Sequence, residues 1–417
     1  MSTNRAPSAE NALSDIRTEW VAETTPGEFP TDPSWNAFAP ELSDFEYSTD
    51  GNKEARQILG QVDPNAHDRA SESATATVSY RQARFPVDSS GTVVDPIAYP
   101  IVTDAGEDYP SHTVVERREV TAGGALGGGF REFAVLSGAR PVGASFDGDP
   151  SATEPIPQEL SYEAERGRTH IVHQPTSEET LVVRSADASD TNDVVIESED
   201  GTVTDTVTLP GADPNTVVTT ESFPDIDAVE VQGEHAGDIQ IGTDDGSGAI
   251  DTELLEKPLT GSNTDGVDSI AGVPALGGGS HADPISESGP QFLGTDATWT
   301  SEALADRVHT LNLEVEREVD RNPRQTSRRE TIDVGARTVS VDADVAGPYE
   351  SATRIAEHHR DKEGDLVWTF DNGETITLAN ATLVDAPDHT RSAGDTNYIP
   401  SVTFEPHGNP AISISNS

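Results

Sequence analysis

The chain has 417 residues and a net charge of −49, with 75 Asp and Glu against 26 Lys and Arg, and it contains no cysteine. The lack of cysteine excludes disulfides, thiolate metal sites and cysteine nucleophiles, and the shortage of basic residues argues against binding to duplex DNA through its phosphates. Self-repulsion of this size destabilises a compact state at ordinary ionic strength, whereas molar salt shortens the Debye length to about 3 Å and screens it. The composition therefore predicts a protein that works in concentrated brine.

The distribution of apolar residues distinguishes a folded chain from a disordered acidic one. Leu, Ile, Val and Phe are scarce enough to approach the composition of disordered proteins, but they fall into short alternating runs bounded by turn residues. Aromatic residues make up 5% of the chain and there is one Met, which predicts a thin core of Val, Ile and Ala in β-sandwiches. Met1–Asp15 lacks the apolar centre of a signal peptide, and no apolar run is long enough to cross a bilayer, so we expect a soluble protein made in the cytoplasm.

The first part of the chain, residues 16–165, contains several strand patterns. Ala74–Tyr80 alternates in the manner of a half-buried strand, and Thr113–Val120 does so less cleanly. Phe130–Leu136 predicts a third strand, followed by a turn at Ser137–Arg140 and a further strand at Pro141–Phe146.

The middle part, residues 166–289, is dense in Asp, Thr, Val and Gly. Short apolar runs recur there at regular spacing, which predicts a small antiparallel sandwich. The predicted strands are Glu179–Arg184, Asp193–Glu197, Thr202–Leu209, Asp227–Gln232 and Gly237–Gly242.

The last part, residues 290–417, contains the most regular patterns. Thr310–Glu316 alternates strictly, with Leu311, Leu313 and Val315 on one face, and Thr331–Val341 predicts two strands on either side of Gly335. Pro348–Arg360 predicts the one helix, with Ser351 as its N-cap. Two further features are a hairpin of Asp365–Phe370 and Glu374–Leu378 around the turn Asn372-Gly373, and a strand within Tyr398–Phe404 that closes a sheet.

Two glycine loops share the sequence Ala-Leu-Gly-Gly-Gly, at Ala125–Gly129 and Ala275–Gly279. The first is followed by Phe130-Arg131 and not by the Lys-Ser/Thr of a phosphate-binding loop, so each is interpreted as an arm or hinge, or as a chance repeat. Ser145 does not lie in a nucleophile elbow, because Asp147 stands where that motif needs its second glycine.

The histidine pairs and acidic turns are the remaining candidates for chemistry. His358 and His359 are adjacent on the predicted helix and point in different directions, which favours a solvated helix end over a zinc site. His170 and His173 cannot be placed beside a third ligand, and Asp244–Gly248 with Asp251 departs from the calcium-loop spacing. Cation binding at these two places stays open. The sequence predicts no catalytic residue, no cofactor and no assigned metal ligand.

Two pieces of the chain resemble the major tail (tail tube) proteins of siphovirus-like viruses. The first contains Trp20–Pro33, with the pattern Glu-Thr-x-x-Gly at Glu23–Gly27, and Gly138–Phe146 leading to Leu160–Tyr162. The second contains Leu311–Val315 and Gly335–Val339, followed by the predicted helix and hairpin. Together with the salt-adapted composition, the chain resembles the tail tube subunit of a virus that infects halophilic archaea.

The resemblance implies a mainly β fold and a structural, non-enzymatic role. It implies a tail-tube β-sandwich or barrel domain with one helix, divided into residues 16–165 and 290–417 by an immunoglobulin-like sandwich at 166–289, with residues 1–15 as a flexible arm. Such subunits form hexameric rings that stack into a tube. Their partners are other copies, the tape measure, the tail terminator and the baseplate, and viral DNA passes through the lumen without specific binding or any membrane contact. The expected location is the virion tail, and an acidic lumen would repel the DNA phosphates.

Three other functions remain open at this point. The chain could be a cell-surface or S-layer-associated sandwich protein of a halophile, although the signal peptide such a protein needs is not evident. It could be a baseplate or tail-tip ring protein, which sequence does not separate from a tube subunit. A glycosidase with paired carboxylates is disfavoured by the scarcity of aromatic residues for sugar stacking.

Overall fold

A computed structural model of the chain shows an all-β protein. It describes residues 13–27, 36–37, 41–56, 66–82, 110–120, 129–148, 156–175, 177–198, 202–226, 228–232, 235–259, 294–300, 302–303, 308–323, 330–345, 362–370, 375–385, 401–407 and 412–415. Throughout these ranges the regular elements are strands. The mainly β fold class is thereby confirmed, while the predicted helix Pro348–Arg360 lies outside the described residues.

The strands are numbered in chain order through three stretches of sequence. Those before residue 175 are β1 (Leu13–Ala22), β2 (Asn36–Ala37), β3 (Glu41–Arg56), β4 (Ala66–Gln82), β5 (His112–Val120), β6 (Phe130–Gly148), β7 (Ile156–Ala164) and β8 (Arg166–His173). The middle strands are β9 (Glu179–Ser185), β10 (Asp193–Glu197), β11 (Thr204–Thr208), β12 (Thr216–Phe223), β13 (Ala228–Gln232), β14 (Ile239–Asp244) and β15 (Ile250–Glu253). The last are β16 (Gly294–Trp299), β17 (Glu302–Ala303), β18 (Val308–Pro323), β19 (Glu330–Val345), β20 (Glu363–Phe370), β21 (Thr375–Asp385), β22 (Ser401–Glu405) and β23 (Ile412–Ser415).

Strand β6 is the centre of a large antiparallel sheet with two wings. Its first half pairs with β5 and β8, and β1 and β2 extend this first wing in the order β2-β1-β5-β6-β8. Its second half pairs with β7 and β18. The second wing has the order β3-β4-β7-β6-β18-β19-β22-β21-β20-β16-β17, with β23 also beside β21. One strand therefore carries the chain from one wing into the other.

The turn predicted at Ser137–Arg140 is wrong, because β6 runs unbroken through these residues. Gly138 has a left-handed φ of 64°, and a Cβ at this position would lie 2.6 Å from Cγ of Glu165. Before this glycine β6 pairs with β8, and after it β6 pairs with β7, the strand that precedes β8 in the chain. A glycine in this conformation bends the strand here, whereas from sequence it is indistinguishable from a turn glycine.

The break predicted at Gly335 is also wrong, because Glu330–Val345 is one strand. Its pairing with β18 shifts register between Arg317 and Val319, which lie opposite Arg337 and Val334. The extra residue beside Gly335 is absorbed as a β-bulge, which bends a strand without ending its ladder. The other predictions in this part are confirmed for the strands β18, β20, β21 and β22 and for the pairing of β20 with β21. Strand β22 does not close the sheet, because it lies inside it between β19 and β21. The turn residues Asn372-Gly373 lie outside the described residues.

The two wings pack face to face around the larger hydrophobic core. The first wing contributes Trp20, Val114 and Leu136, all at most 5% exposed. The second wing contributes buried side chains from most of its strands, among them Phe45, Val78, Leu160, Phe146, Leu313, Val341, Trp368 and Phe404. Burial of this much apolar surface is the main favourable term in folding.

The middle strands form a three-stranded sheet, β11-β10-β13, and a four-stranded sheet, β12-β9-β14-β15. Both sheets are antiparallel, and the predicted strands from Glu179 to Gly242 are confirmed, while β12 and β15 were not predicted. Strand β8 starts at Arg166, the expected start of the insertion, but pairs along β6, so the separate sheets begin with β9. The immunoglobulin-like character of this sandwich stays a prediction.

The middle sandwich shares its core with the first wing. Val115, Phe133 and Val172 of the first wing belong to the same buried cluster as Leu181 and Ile241 of the sandwich. Backbone bonds reinforce the contact, since the amide of His173 donates to the carbonyl of Leu254 over 2.7 Å. The first wing is therefore covered on both faces, which explains why β5 is buried along most of its length and alternates poorly.

Candidate functional site

The outward face of the second wing is the most distinctive surface of the described residues. One row of side chains runs across six neighbouring strands and is apolar and buried: Phe45, Val78, Leu160, Ala144, Val315 and Val339. Because side chains alternate along each strand, the residues on either side of this row point away from the core.

Two outward rows flank that buried row, and together they are called the acidic face. One consists of Glu46, Thr77, Ser161, Gly143, Glu316 and Thr338. The other consists of Ser79, Glu159, Ser145, Glu314 and Ser340. These side chains carry carboxylates or hydroxyls, or are absent at the glycine, and neither row contains a basic residue. The face is thus negatively charged and has short side chains between its carboxylates.

The carboxylates of the acidic face influence one another. Burial raises the pKa of Glu314, and the neighbouring carboxylates of Glu316 and Asp342 raise it further. Asp342 lies at the end of the face, where its Oδ1 accepts a hydrogen bond of 2.5 Å from the Thr403 hydroxyl. Like charges held close together disfavour ionisation, so this part of the face is crowded with negative charge.

A groove lies in the middle of the acidic face, along β7, β6 and β18. It has a volume of about 270 Å³, and carboxylates line it at Glu159, Glu163, Glu314 and Glu316. Its floor includes Gly143, where a Cβ would come within 3.4 Å of both Ser161 Cβ and the carbonyl oxygen of Val315. Glu163 also forms an ion pair with the guanidinium of Arg321. Arg317 is the one basic residue in the lining. The groove is therefore open and carries more carboxylates than cations, and one of those carboxylates is paired to Arg321.

Two segments of the first part of the chain, Glu23–Gly27 and Gly138–Phe146, meet at a buried carboxylate. Glu23 is 7% exposed and accepts hydrogen bonds from the amide of Gly27 (2.7 Å), the hydroxyl of Thr113 (2.7 Å) and the amide of Gly138 (2.9 Å). It thereby ties the chain after β1 to the bend of β6. These three donors satisfy the buried carboxylate, which would otherwise be costly to bury.

The histidines considered for metal binding do not converge. His170 and His173 both lie on β8, opposite Phe133 and Phe130 of β6. Residues three apart on a strand point to opposite faces, so this pair cannot chelate one ion. The described residues contain no group of three or more His, Asp or Glu side chains arranged to hold a metal, and His358 and His359 lie outside them.

The acidic turn is held by hydrogen bonds to its own backbone. Asp244 Oδ1 accepts from the amides of Gly246 and Gly248, and Asp245 Oδ1 accepts from Ser247 and Ala249. Hydrogen bonds from the Ser247 side chain and from backbone amides lower the pKa of Asp245. These carboxylates therefore stabilise the turn between β14 and β15.

A serine, an aspartate and a histidine that were not singled out from sequence meet in the middle sandwich. The Ser185 hydroxyl donates to Asp190 over 2.5 Å, and Asp190 also accepts from the amides of Ala236 and Gly237. The Nδ1 atom of His235 contacts the carbonyl of Gly237 at 2.8 Å. The serine is hydrogen-bonded to the carboxylate and not to the imidazole, so this is not the arrangement of a nucleophilic triad.

The remaining candidates from sequence are Ser145 and the two glycine loops. Ser145 lies within β6, as predicted, and faces the acidic groove. Ala125–Gly128 of the first loop and the whole second loop, Ala275–Gly279, lie outside the described residues. No protein-family model matches the chain, and no curated protein matches it at a significant level. The described residues contain no helix long and apolar enough to cross a membrane.

Proposed function

We propose that this chain is a structural subunit of the tail tube of a siphovirus-like virus that infects halophilic archaea. The subunit assembles into stacked rings, and viral DNA passes through their lumen into the host. The proposal is supported by the resemblance of Glu23–Gly27 and Gly138–Phe146 to tail tube proteins and by the hydrogen bond that joins these segments. The all-β architecture is compatible with it.

The observation that carries the proposal is the pair of acidic rows on the second wing. We assign this face to the lumen. Carboxylates repel the phosphates of DNA, and short Ser, Thr and Gly side chains between them leave a smooth wall with no groups that grip the backbone. The opposite face of the same strands is packed in the core, so a single sheet provides both the wall and the stability of the subunit.

Electron microscopy of the purified protein in molar KCl tests the assembly, with a low-salt sample as the control. We expect rings or stacked tubes with an open lumen at high salt, because screening then removes the long-range repulsion between copies. Single isolated rings that never stack would favour a baseplate or tail-tip protein. Monodisperse monomers in high salt would rule out intrinsic self-assembly and favour a surface protein.

The orientation of the acidic face can be tested by labelling, because the natural chain contains no cysteine. Thr338→Cys places a thiol on the acidic face, and Thr206→Cys places one on a strand of the middle sandwich; both threonines are exposed. After reaction with a maleimide–gold cluster, we expect gold inside the tube for Thr338→Cys and outside it for Thr206→Cys. Gold on the outer wall for Thr338→Cys would contradict the lumen assignment.

A further inference from the structure

One edge of the second wing is covered by a very short strand. Strand β17 has two residues, which pair with Thr298 and Trp299 of β16. On that side, the part of β16 before Thr298 has no neighbouring strand among the described residues. Short edge strands are one device that keeps a sheet from pairing with another chain. We call β17 and the connection Thr300-Ser301 the strap, because together they cover the end of β16.

The turn of the strap contains a strained residue. Two residues connect β16 to β17, and the favoured two-residue hairpin turns need a left-handed φ at their first position, which Gly, Asn or Asp supplies. Here that position is Thr300, with a φ of 52°. A β-branched residue in this region is an outlier, and it persists only where the surrounding structure holds it.

The contacts of Thr300 and its neighbour hold the turn in this conformation. The amide of Thr300 donates to the carbonyl of Asp365 over 3.0 Å, and a Cβ on Gly364 would lie 2.1 Å from its Cγ2. Trp299 is fully buried and donates from Nε1 to the carbonyl of Ala381 over 3.1 Å. The strain is therefore imposed by contacts on the β20 and β21 side of the strap, whereas two residue pairs hold β17 itself.

The same corner contains the second left-handed residue that is not glycine. Among the described residues these are Thr300 and Asn380, with φ values of 52° and 48°. The amide of Asn380 donates to Oδ1 of Asp365 over 3.0 Å, so Asp365 contacts both residues. Asn adopts this conformation readily, but Thr does not. Strained residues cluster where a structure switches between two arrangements, and the element here with the fewest pairs is β17.

The opposite edge of the second wing is open. Strand β3, Glu41–Arg56, is 16 residues long and pairs with β4 along its length. The described residues place no strand on its other side. A long open edge presents a row of unpaired N–H and C=O groups to which another strand can pair. The two ends of one sheet are therefore an open edge and an edge covered by a strained strap.

We propose that the strap opens to let β3 of a second copy of this chain pair with β16. Opening breaks two residue pairs and releases the strain at Thr300, and the incoming strand can pair along all six residues of β16. The contact joins opposite ends of the same sheet, so it repeats from copy to copy and closes into a ring where the rotation permits. The acidic face stays on one side of the continued sheet, in agreement with the lumen assignment. The inference rests on the proposed self-assembly and identifies a step that controls it.

A reversible disulfide across the strap tests the opening. Thr298 and Ala303 lie opposite one another, one pair away from the turn. In a two-residue hairpin this is the non-hydrogen-bonded pair, whose close spacing suits a disulfide. Thr298→Cys with Ala303→Cys, oxidised in the full-length chain while dilute, locks the strap shut. We expect assembly in molar KCl to slow at least about tenfold, because the open state is no longer populated, and reductant to restore it.

A second disulfide provides the matched control. Val195 and Thr206 lie opposite one another on β10 and β11 of the middle sandwich. Oxidation of Val195→Cys with Thr206→Cys should leave the rate of assembly unchanged. A lock on the strap that assembles as fast when oxidised as when reduced would overturn the inference.

Hydrogen exchange of the dilute, unassembled chain tests the role of the strain. Thr300→Asn keeps a Cβ but relieves the strain, because Asn adopts a left-handed φ more readily. We expect the amides of β16 and β17 to exchange at least about fivefold more slowly in this variant, since the closed strap is then more stable. Thr298→Asn, the same substitution at an ordinary strand position, is the control and should not slow exchange. Equal exchange in Thr300→Asn and the natural protein would contradict a strained strap.

Cross-linking between copies tests the identity of the incoming strand. Ser48→Cys on β3 and Thr298→Cys on β16 are prepared as separate full-length proteins, mixed in molar KCl and treated with a short bismaleimide. We expect the mixed dimer to form at least about tenfold more than with Thr206→Cys in place of Ser48→Cys, because pairing raises the effective concentration of the two thiols. Dimers that form only between two Thr298→Cys chains would show that β16 pairs with itself, and would overturn the assignment of β3.

The outcomes separate this inference from the proposed function. Tubes that form equally well from the oxidised lock would overturn the strap and leave the tube standing. Slower exchange in Thr300→Asn and a mixed cross-link, without tubes from the natural protein, would support the strap and overturn the tube.

Discussion

Gly138 is the residue on which the bend of β6 depends. Its φ of 64° is left-handed, and a Cβ there would lie 2.6 Å from Cγ and 2.8 Å from Cβ of Glu165. We expect Gly138→Ala to lower the free energy of unfolding by about 3 kcal/mol or more, since a left-handed alanine costs about 1–2 kcal/mol and the buried Glu165 must also move. Urea unfolding monitored by tryptophan fluorescence measures the change.

Gly246→Ala is the matched control for that substitution. Gly246 is also left-handed, with a φ of 84°, but no atom lies within 4 Å of its Cβ position. Its replacement should cost only the backbone strain, about 1 kcal/mol. Equal losses in the two variants would show that the contact with Glu165 does not constrain the bend.

His112 provides a test based on pH. It is 2% exposed, with its ring 4.8 Å from that of Trp20 and 6.3 Å from that of Tyr162. Burial, and secondarily the charge of Arg140, lowers the pKa of His112 from 6.5 to about 4. Because the unfolded chain then binds the proton more tightly, the stability from neutral His112 is present above pH 6.5 and is lost as the pH falls toward 4.

We therefore expect His112→Gln to reduce the pH dependence of unfolding. Between pH 7.5 and pH 5 the natural protein should lose about 2 kcal/mol more than the variant, because that interval covers most of the titration of an unfolded histidine. Urea unfolding at both pH values in the same molar KCl gives the change in the free energy of unfolding for each protein. The contribution of the carboxylates is the same in both proteins and cancels when the two changes are subtracted. Parallel losses would mean that His112 does not stay neutral in the folded state.

Strand β5 illustrates what happens when both faces of an element are covered. Val114 packs in the core between the two wings and Val115 in the core shared with the middle sandwich, and both are fully buried. We expect Val114→Ala and Val115→Ala each to cost about 2 kcal/mol in the free energy of unfolding. On β18, which has one exposed face, Glu314→Ala should cost less than about 0.5 kcal/mol.

That comparison measures whether the middle sandwich stabilises the first wing. If Val115→Ala has no more effect than Glu314→Ala while Val114→Ala is costly, the shared core does not contribute to folding. Thermal unfolding of the three variants under one salt condition is sufficient for this comparison.

The elements also show where prediction from sequence succeeds. Strict alternation at Thr310–Glu316 correctly predicts a strand with Leu313 and Val315 buried, because a strand with one solvated face records its environment in its own sequence. Glycine is the less reliable signal. Gly138 and Gly335 were interpreted as breaks, but long-range pairing carries both strands through, as a kink and as a bulge.

For the molecule as a whole, the large negative charge is expected to control thermal stability. With a net charge of −49, we expect the midpoint of thermal unfolding to rise by at least about 10 °C between 0.2 M and 2 M KCl, because screening removes the repulsion that opposes the compact state. Calorimetry at both concentrations measures it, with sucrose at matched water activity as the control. An equal rise in sucrose would indicate solvent exclusion rather than screening.

Only the acidic character of the candidate site could be predicted from the sequence. The excess of carboxylates indicates an acidic surface, but it does not show that Glu46, Glu159, Glu314 and Glu316 share one face. That arrangement depends on the register between strands from distant parts of the chain, such as Glu316 opposite Gly143. Register follows from packing of the opposite face, which alternation within a single strand cannot reveal.

By itself, the sequence determined the β class and the absence of cysteine chemistry, because these follow from local alternation and from composition. The composition also leads us to expect a need for high salt. The tertiary structure decided that β6 joins two wings, that the middle sandwich shares a core with the first wing, and that Glu23 ties Gly27 to Gly138. These features require contacts between residues up to more than a hundred positions apart. Such contacts form only when the whole chain buries its apolar faces together, and no local pattern encodes them.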